Sequence, residues 1–376
     1  MPASADFTAT DFTAATGRFR GELLAHCYRM LGSAEEAEDL VQETYLRAWR
    51  SYDRFEGRSS VRTWLYRIAT NVCRTAIERR GRRPLPSGLG APAEDAAAPL
   101  VAGPDVPWLQ PLPDVLLAGA GQDPASAAAA RAGIRLALVA ALQYLPARQR
   151  AVLILRDVLD WPAADVADLL GTTTTAVHSG LRRARAQLAR SLPAEDELAE
   201  PAEPARRALL DRFAAAIENA DGSALAELLR ADATLEMPPL LTWFTGREAV
   251  AGFVAAQLLT GPGLLRLVPV MANGQPAFAV YQRAPGGAFQ AHAVLAATAT
   301  GTGTGTGTGA GIARIVAFQD PGLFRAFGLP QEQPATAAGP APGSGPGPAA
   351  GPAPAPGAAP AAGPAPAPGP APAPPA

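Results

Sequence analysis

The amino-acid sequence predicts a multidomain chain in which two all-α modules precede an α+β domain and a disordered tail. Apolar residues recur at helical spacing over residues 18–83 and again over 126–192. Over residues 205–330 helical patterns are followed by short strand-like runs, an order that indicates an α+β domain. From 331 to 376 the chain is almost entirely Ala, Pro and Gly, which cannot form a packed core. Residues 84–125 are also rich in these types and predict an extended linker.

The overall composition excludes several classes of protein and leaves local charge to indicate the partners. The 376 residues carry a net charge of −2 at pH 7, so no global charge points to nucleic acid. Cys27 and Cys73 lie in apolar helical patterns without CxxC spacing, which argues against a disulfide framework or a zinc site. We expect no bound metal and no cofactor. We find no signal peptide and no apolar run that could span a membrane, and therefore expect a cytoplasmic protein with no membrane partner.

A capping box opens the first strong helix of the chain. Ser33-Ala-Glu-Glu36 places a serine N-cap three residues before a glutamate, and the helix is expected to run to about Tyr52. At i, i+3, i+4 and i+7 spacing one face carries Asp39, Gln42, Glu43 and Leu46. Negative charge and hydrogen-bond acceptors on this face would attract a basic protein surface and repel DNA.

The next helix is expected to begin after Ser59 or Ser60 and to present a basic face opposite its apolar one. From Val61 to Ile77 an apolar residue occupies every position that the helical period assigns to the apolar face. The opposite face carries Arg62, Arg67, Asn71, Arg74, Arg79 and Arg80. Such a face suits contact with a nucleic-acid backbone, although a merely solvated surface has the same pattern. Trp64 and Tyr66 lie nearby, where they can stack on unpaired bases.

Residues 160–192 have the pattern of a helix-turn-helix. Counting from Ala163, the small residue Ala167 falls where the two helices cross closely. Gly171 falls in the turn that needs a positive φ, and Val177 falls on the buried side of the second helix. A basic second helix on this scaffold normally enters the DNA major groove. Its candidate DNA contacts are Thr175, His178, Ser179, Arg182, Arg183 and Arg185.

The third domain is predicted to contain three helices followed by most of its strands. The helices are expected at about 209–217, 223–230 and 247–259. The strands are expected at about 233–237, 264–271, 277–283, 288–297 and 312–319, forming a curved antiparallel sheet. A Gly-Thr repeat at 300–309 predicts a floppy loop without function.

Several motifs, in their order along the chain, resemble those of extracytoplasmic-function (ECF) sigma factors of the sigma-70 superfamily. Asp39-Leu-Val-Gln-Glu-Thr-Tyr-Leu-Arg-Ala-Trp49 looks like region 2.2 of that family. Thr63-Trp-Leu-Tyr-Arg-Ile-Ala-Thr-Asn71, followed by Arg74, looks like regions 2.3 and 2.4. The segment that starts Leu145-Pro-Ala-Arg-Gln-Arg resembles region 4.1, and the helix-turn-helix resembles region 4.2.

The resemblance implies an alternative sigma factor, a promoter-recognition subunit and not an enzyme. Its partners would be core RNA polymerase, through the β′ clamp helices and the β flap, and promoter DNA; an anti-sigma factor is a further candidate partner. The implied polymerase-binding residues are Asp39, Gln42, Glu43, Leu46 and Trp49. The implied −10 residues are Arg62, Trp64, Arg67, Asn71, Arg74, Arg79 and Arg80. The implied −35 residues are Thr175, His178, Ser179, Arg182, Arg183 and Arg185.

Three short motifs in the third domain resemble sequences of the SnoaL-like cone fold, a domain that is fused to certain ECF sigma factors. They are Met237-Pro-Pro, Trp243-Phe-Thr-Gly-Arg-Glu and Asp320-Pro-Gly-Leu-Phe. The resemblance implies a module that controls the sigma regions in cis and contains a cavity. The candidate cavity residues are Glu236, Trp243, Tyr281 and His292.

Alternatives from other classes remain open at this stage. A helix-turn-helix repressor or activator would bind duplex DNA tightly without polymerase, and the 39–49 surface argues against it. A cavity enzyme would need turnover that is lost when His292 or Glu236 is changed. The linker island at 107–114 also has two interpretations: in this family the linker threads through the polymerase toward the RNA exit path, or the island anchors on the protein's own surface.

Overall fold

The computed structural model describes residues 9–55, 57, 59–118, 124–190, 203–257, 261–301 and 310–335. The α-helices are α1 Ala9–Thr16, α2 Arg20–Leu31, α3 Ala34–Ser51, α4 Val61–Arg80, α5 Pro124–Arg131, α6 Leu136–Leu142, α7 Ala147–Leu153, α8 Ala163–Leu170, α9 Thr174–Leu188, α10 Glu203–Glu218, α11 Gly222–Leu228, α12 Arg247–Gln257 and α13 Leu323–Ala326. The strands are β1 Leu229–Glu236, β2 Trp243–Thr245, β3 Leu265–Ala272, β4 Gln275–Arg283, β5 Phe289–Thr300, β6 Gly311–Phe318 and β7 Glu332–Gln333. Within these ranges the predicted order of two helical modules and an α+β domain is confirmed.

The N-terminal module, α1–α4, follows the helix signals in the sequence. The Ser33 side chain accepts a hydrogen bond from the Glu36 amide and begins α3, and Ser60 accepts one from the Thr63 amide and begins α4. Both helices bury their apolar face against α2, whose Leu23, Leu24 and Met30 are fully buried. The Glu36 carboxylate, which a full capping box would direct back to Ser33, pairs instead with Arg80, the last residue of α4, and with Arg83, three residues beyond it.

The second helical module, α5–α9, contains the predicted helix-turn-helix in α8 and α9. Gly171 adopts a φ of 59° between them, where a side chain would be strained. Ala167 and Val177 are buried at the crossing, as their positions in the pattern predict. The Thr173 side chain accepts a hydrogen bond from the Ala176 amide and begins α9, the basic second helix. A single π-helical turn, Ile154–Val158, connects α7 to the loop that precedes α8.

The C-terminal domain, from Glu203 to Gln333, is a curved sheet with helices α10–α12 packed on one face. The strand order is β2-β1-β6-β5-β4-β3, and β7 pairs with β5. The predicted antiparallel pairing holds for the other described strand pairs and was wrong for one, because β1 pairs with β6 in parallel. β1 enters the sheet before α12 and lies beside the last strand of the β3–β6 meander, an arrangement that local sequence patterns do not encode. Pairing of β7 with Phe289 and Gln290 also shows that the ordered chain continues past 331, where a disordered tail was predicted to start.

The linker was predicted to be extended, but residues 84–118 lie along both neighbouring parts of the chain. Leu109 and Leu112 are fully buried. The Gln110 amide donates to the Gly32 carbonyl at 2.9 Å, and isolated bridges pair Ala102 with Leu240 and Pro113 with Ala272. In this structure the island therefore anchors on the protein's own surface, which is one of the two alternatives above. Burial of its leucines explains why the segment does not extend into solvent.

Two further features concern the limits of the described chain. The Gly-Thr repeat from 302 to 309 and the tail from 336 to 376 lie outside the described residues. Within the described ranges no single helix is long and apolar enough to cross a membrane, although α5 and α6, bent by 68° at their junction, meet that test as a pair.

Candidate interfaces with nucleic acid and protein

The predicted docking face of α3 is exposed and combines acidic with apolar side chains. Leu46 is 51% exposed and Trp49 is 42% exposed, high values for large apolar residues. Asp39 and Gln42 lie on the same exposed face, whereas Glu43 is half-buried and accepts a hydrogen bond from Arg47 at 2.6 Å. The face offers apolar area and negative charge together, which is the chemistry of a protein-binding surface.

The predicted basic face of α4 is partly engaged inside the protein. Arg62 donates three hydrogen bonds, at 2.6–3.0 Å, to the carboxylate of Glu22, whose side chain is fully buried. The Tyr66 hydroxyl donates to the same carboxylate at 3.2 Å, and Tyr66 is itself fully buried. Tyr66 therefore does not face solvent, where base stacking would require it. Trp64 is half-buried, with its ring against those of Tyr52 and Phe55.

The second helical module covers part of this face of α4. The Trp161 ring lies 5.1 Å from the Tyr66 ring and under the guanidinium of Arg62. Arg67 donates to the Asp168 carbonyl at 3.3 Å and approaches its carboxylate at 3.5 Å. Two of the predicted −10 arginines, Arg62 and Arg67, thus contact the second helical module in this structure, at Trp161 and at Asp168.

The remaining predicted residues of α4 divide into exposed and paired side chains. Asn71 and Arg79 are exposed, and Arg74 is half-buried. Arg80 is exposed but forms an ion pair with Glu36. The exposed part of the basic face therefore lies on the C-terminal half of α4.

Helix α9 presents most of its predicted DNA-contacting residues to solvent. Thr175, His178, Arg182 and Arg183 are exposed, and Ser179 is half-buried. Arg185 is also exposed, but both carboxylate oxygens of Asp157 accept hydrogen bonds from it, at 2.7 and 2.8 Å. This bidentate pair raises the pKa of Arg185 and directs its guanidinium toward the protein.

Two fully buried arginines join the helical modules and were not singled out by the sequence. Arg29 on α2 donates to the carbonyls of Ala129 and Ala130 at the end of α5. Arg150 on α7 donates to the Met30 carbonyl and to Gln143. Burial lowers the pKa of both arginines to about 10, so both stay charged near pH 7. Arg148 lies two residues from Arg150 on the same helix, so the local sequence did not mark Arg150 as the buried one.

Asn273, in the turn between β3 and β4, contacts three other segments of the chain. Its side chain donates to the Tyr28 hydroxyl and to the Ile134 carbonyl, each at 2.7 Å, and accepts from the Leu112 amide at 3.0 Å. It is 2% exposed and has a φ of 58°, a conformation that asparagine tolerates better than most residues. Sequence analysis missed it, although an Asn-Gly pair between two strands is a clear turn signal.

The C-terminal domain contains a cavity of about 240 Å³ between its helices and the sheet. Of the four residues predicted to line it, only His292 does so. Side chains alternate across a strand, and Leu235, Met237 and Val280 line the cavity, so Glu236 and Tyr281 point to the other face.

The other three predicted cavity residues have different contacts. The buried Glu236 carboxylate accepts from Arg314 and from the Ser87 amide of the linker, each at 3.0 Å. Trp243, which pairs with Glu236 across β1 and β2, donates from its indole nitrogen to the Gly90 carbonyl. The Tyr281 hydroxyl donates to the Pro330 carbonyl. Glu236 and Trp243 thus hold the linker, and the cavity prediction was wrong for all three.

An exposed acidic and apolar face, a basic helix and a helix-turn-helix on one chain define a promoter-recognition factor. Residues 17–83 match the family model for Sigma-70 region 2, and residues 135–188 match that for Sigma-70, region 4. Over 330 residues the chain is 50% identical to the ECF RNA polymerase sigma factor SigG of Mycobacterium tuberculosis, covering 87% of this chain and 86% of that protein. The chain belongs to the ECF sigma factors of bacterial RNA polymerase.

A second relative shares the architecture as well. ECF RNA polymerase sigma factor SigJ of Mycobacterium tuberculosis is 28% identical over 256 residues, which is 65% of this chain and 73% of that protein. The crystal structure of SigJ superposes with a TM-score of 0.54 at 22% identity, covering 86% of this chain and all of that one. The similarity in structure includes the C-terminal mixed α/β domain. Sigma factors are transcription initiation factors that act with core RNA polymerase and promoter DNA in promoter-specific initiation.

Proposed function

We propose that the C-terminal domain controls this sigma factor in cis by holding regions 2 and 4 together, with the linker between them. Region 2 covers residues 18–83, with α2–α4, and region 4 covers 126–192, with most of α5 and all of α6–α9. The control domain spans 205–330. We propose that the protein acts in the cytoplasm, where core polymerase and promoter DNA meet.

The distance between the two promoter elements indicates that regions 2 and 4 must move apart before both can bind DNA. Elements centred near −10 and −35 are about 25 base pairs apart, or about 85 Å of duplex at 3.4 Å per pair. In this structure α4 and α8 touch, through Arg67 and Asp168. The faces proposed to read the two elements cannot span that distance while these helices are in contact. Promoter recognition therefore requires the two regions to separate.

Asn273 is the observation that carries the proposal. One side chain of the C-terminal domain bonds Tyr28 of region 2, Leu112 of the linker and Ile134 at the start of region 4. Loss of a buried hydrogen bond that leaves its partner unsatisfied costs about 1–3 kcal/mol. These three bonds together therefore favour the closed state by roughly 2–4 kcal/mol, once water access to the opened partners is allowed for.

The contact residues are part of the same proposal. We assign polymerase docking to Asp39, Gln42, Glu43, Leu46 and Trp49. We assign −10 contacts to Asn71, Arg74 and Arg79, joined by Arg67 once its contact with Asp168 of region 4 opens. Arg62, Trp64 and Arg80 belong to the same assigned surface, but their present partners lie within region 2, so DNA would have to replace those contacts. We assign −35 contacts to Thr175, His178, Ser179, Arg182 and Arg183, and to Arg185, which would have to exchange its partner Asp157, also in region 4, for DNA.

Run-off transcription with purified core polymerase on a pool of promoters tests the control. Asn273→Gly removes the three side-chain bonds and keeps a residue that tolerates the positive φ, so specific transcripts are expected to increase several-fold over the unmodified chain. Asn219→Ala, at an exposed asparagine in the same domain, is the matched control and should change nothing. Equal output from the Asn273→Gly variant would refute control through this contact. No transcript from any form, with duplex binding intact, would favour a repressor or activator.

A further inference from the structure

Region 4 covers the N-terminal half of α4 with a side whose charge differs from that of α9. Between residues 157 and 181 the chain has four aspartates and neither arginine nor lysine. Asp160, Asp165 and Asp168 are exposed, and the last two lie on α8. Negative charge on this side attracts the basic face of α4 and would repel the phosphates of DNA. The charge of this side of region 4 therefore suits α4 and does not suit DNA.

The ring of Trp161 occupies a position on α4 that an unpaired base could take. Its centre lies 5.1 Å from that of the Tyr66 ring. The Arg62 guanidinium, besides its hydrogen bonds to Glu22, lies 5.2 Å from the centre of the Tyr66 ring and 5.4 Å from that of Trp161. Proteins that bind single-stranded nucleic acid stack bases on aromatic rings and add cation–π contacts from arginine. The indole of Trp161 thus contacts an aromatic ring and a guanidinium at once, as a bound base does.

Asp168 offers Arg67 the acceptors that a phosphate group would offer. Arg67 donates to the Asp168 carbonyl at 3.3 Å and approaches its carboxylate at 3.5 Å. This carbonyl belongs to the last turn of α8, where the helix dipole adds negative charge. The side chains of Asp168 and Arg67 are 87% and 42% exposed, so water screens the pair and another anion can replace Asp168.

The two proposed DNA-binding surfaces are not equally accessible in the closed chain. Helix α9 presents Arg182 and Arg183 to solvent. On α4, by contrast, Tyr66 is fully buried and Arg67 contacts α8. A single strand cannot reach Tyr66 and Arg67 together while Trp161 and the end of α8 lie against them. The contact between the regions therefore covers the −10 surface and leaves the −35 surface open.

We propose that region 4 blocks the −10 surface as a mimic of single-stranded DNA, with the Trp161 ring in place of an unpaired base and Asp168 in place of a phosphate. The proposal rests on the −10 contacts proposed for α4. Contact between regions 2 and 4 then inhibits one step of promoter recognition directly, by competition, and leaves −35 recognition available.

Fluorescence anisotropy of the full chain, without polymerase, tests the proposal with three labelled DNA probes. The first is a single strand of about 12 nucleotides in randomised sequence, the second is an abasic strand of the same length, and the third is a duplex of randomised sequence. The abasic strand has phosphates without bases, so it separates the two halves of the mimicry. The duplex has its bases paired and reports binding through α9.

Two variants uncover the two halves of the surface. Trp161→Ala should raise affinity for the base-bearing strand at least about tenfold, the size of one base stacked on an aromatic ring. Asp168→Ala should raise affinity for both strands about twofold, because it releases one exposed arginine. Neither variant should change affinity for the duplex. Asp165→Ala, which removes an exposed acid from the same helix, and Trp161→Phe, which keeps a ring, are the matched controls and should bind as the unmodified chain does.

Unchanged affinity of Trp161→Ala for the base-bearing strand would overturn the proposal, and so would an equal rise for the abasic strand or for the duplex. If Trp161→Ala fails to fold by circular dichroism, equal affinity of Asp168→Ala and Asp165→Ala for the single strands would still overturn it. Strand affinity that Asn71→Ala and Arg79→Ala leave unchanged would refute the −10 assignment of α4, and the mimicry with it. Because no polymerase is present, none of these outcomes depends on control of transcription by the C-terminal domain.

Discussion

Replacement of Arg62 by alanine is expected to destabilise region 2 before it affects any promoter contact. The Glu22 carboxylate is fully buried, and three of its hydrogen bonds come from Arg62. In the Arg62→Ala variant only the Tyr66 hydroxyl, at 3.2 Å, would remain as a described donor to that carboxylate. Removal of one partner from a buried ion pair costs about 3–5 kcal/mol, because the other charge is left without compensation.

The expected loss of stability for the Arg62–Glu22 pair is smaller than this, because water reaches the Arg62 side chain. The Arg62 side chain is 34% exposed, so solvent already screens part of its attraction to Glu22. We therefore expect a loss of about 2–4 kcal/mol in the free energy of unfolding. Arg79→Ala is the control: Arg79 lies on the same helix, is exposed, and should change stability by less than about 0.5 kcal/mol.

Urea unfolding followed by circular dichroism measures both variants. The paired replacement of Glu22 and Arg62 by leucine should recover much of the lost stability, because it removes the buried charge as well as its partner. If Arg62→Ala is as stable as Arg79→Ala yet binds −10 DNA less well, Arg62 would be a free DNA contact and the structural argument would be refuted.

Three other predictions concern docking, −35 recognition and acid stability. Asp39→Arg combined with Glu43→Arg should abolish binding to core polymerase and leave the circular dichroism spectrum unchanged. Glu227→Arg in the C-terminal domain is the control and should bind normally. Retained binding by the double variant would place the docking face elsewhere. Arg182→Ala combined with Arg183→Ala should lower affinity for a −35 duplex by about tenfold or more in fluorescence anisotropy, since a bidentate contact to guanine is worth about 1–3 kcal/mol; unchanged affinity would contradict the assignment. Burial lowers the pKa of His26 from 6.5 to about 3. Between these two pH values the unfolded chain binds a proton at this residue that the native chain does not. The free energy of unfolding should therefore fall by about 1.4 kcal/mol for each pH unit below 6.5. The His26 ring signal in NMR should stay unchanged from pH 8 to 5, and a midpoint near 6.5 would show that the site is open to water.

The helices could be predicted because their signals are local. Ser33, Ser60 and Gly171 act on the residues beside them, and the structure has caps and a left-handed turn at those positions. The exposed face with Leu46 and Trp49 follows from helical periodicity alone. These features need no knowledge of what the rest of the chain does.

The partners of charged side chains could not be predicted in the same way. Arg62 and Glu22 are 40 residues apart, and Glu236 reaches Ser87 across 149 residues. Periodicity places a charge on a face but does not say whether another segment covers that face. For the cavity a local rule was available: Glu236 lies between Leu235 and Met237, so all three cannot share one side of a strand. His292 is the exception that the rule would have missed, because the pairing of β4 with β5 has a bulge beside it, and a bulge has no reliable local signal.

The linker is held largely by its peptide groups. Val101 and Gly103 bond the C-terminal domain through a carbonyl and an amide, and the Ala93 amide donates to the Trp243 carbonyl. The carbonyl of Leu112 accepts from the Asn273 amide in the same manner. Apart from the buried Leu109 and Leu112, side chains in much of this stretch can therefore be exchanged during evolution at little cost to its attachment. Its length cannot, because one inserted residue between Gly103 and Leu112 would put the peptide groups at one end out of step with those at the other.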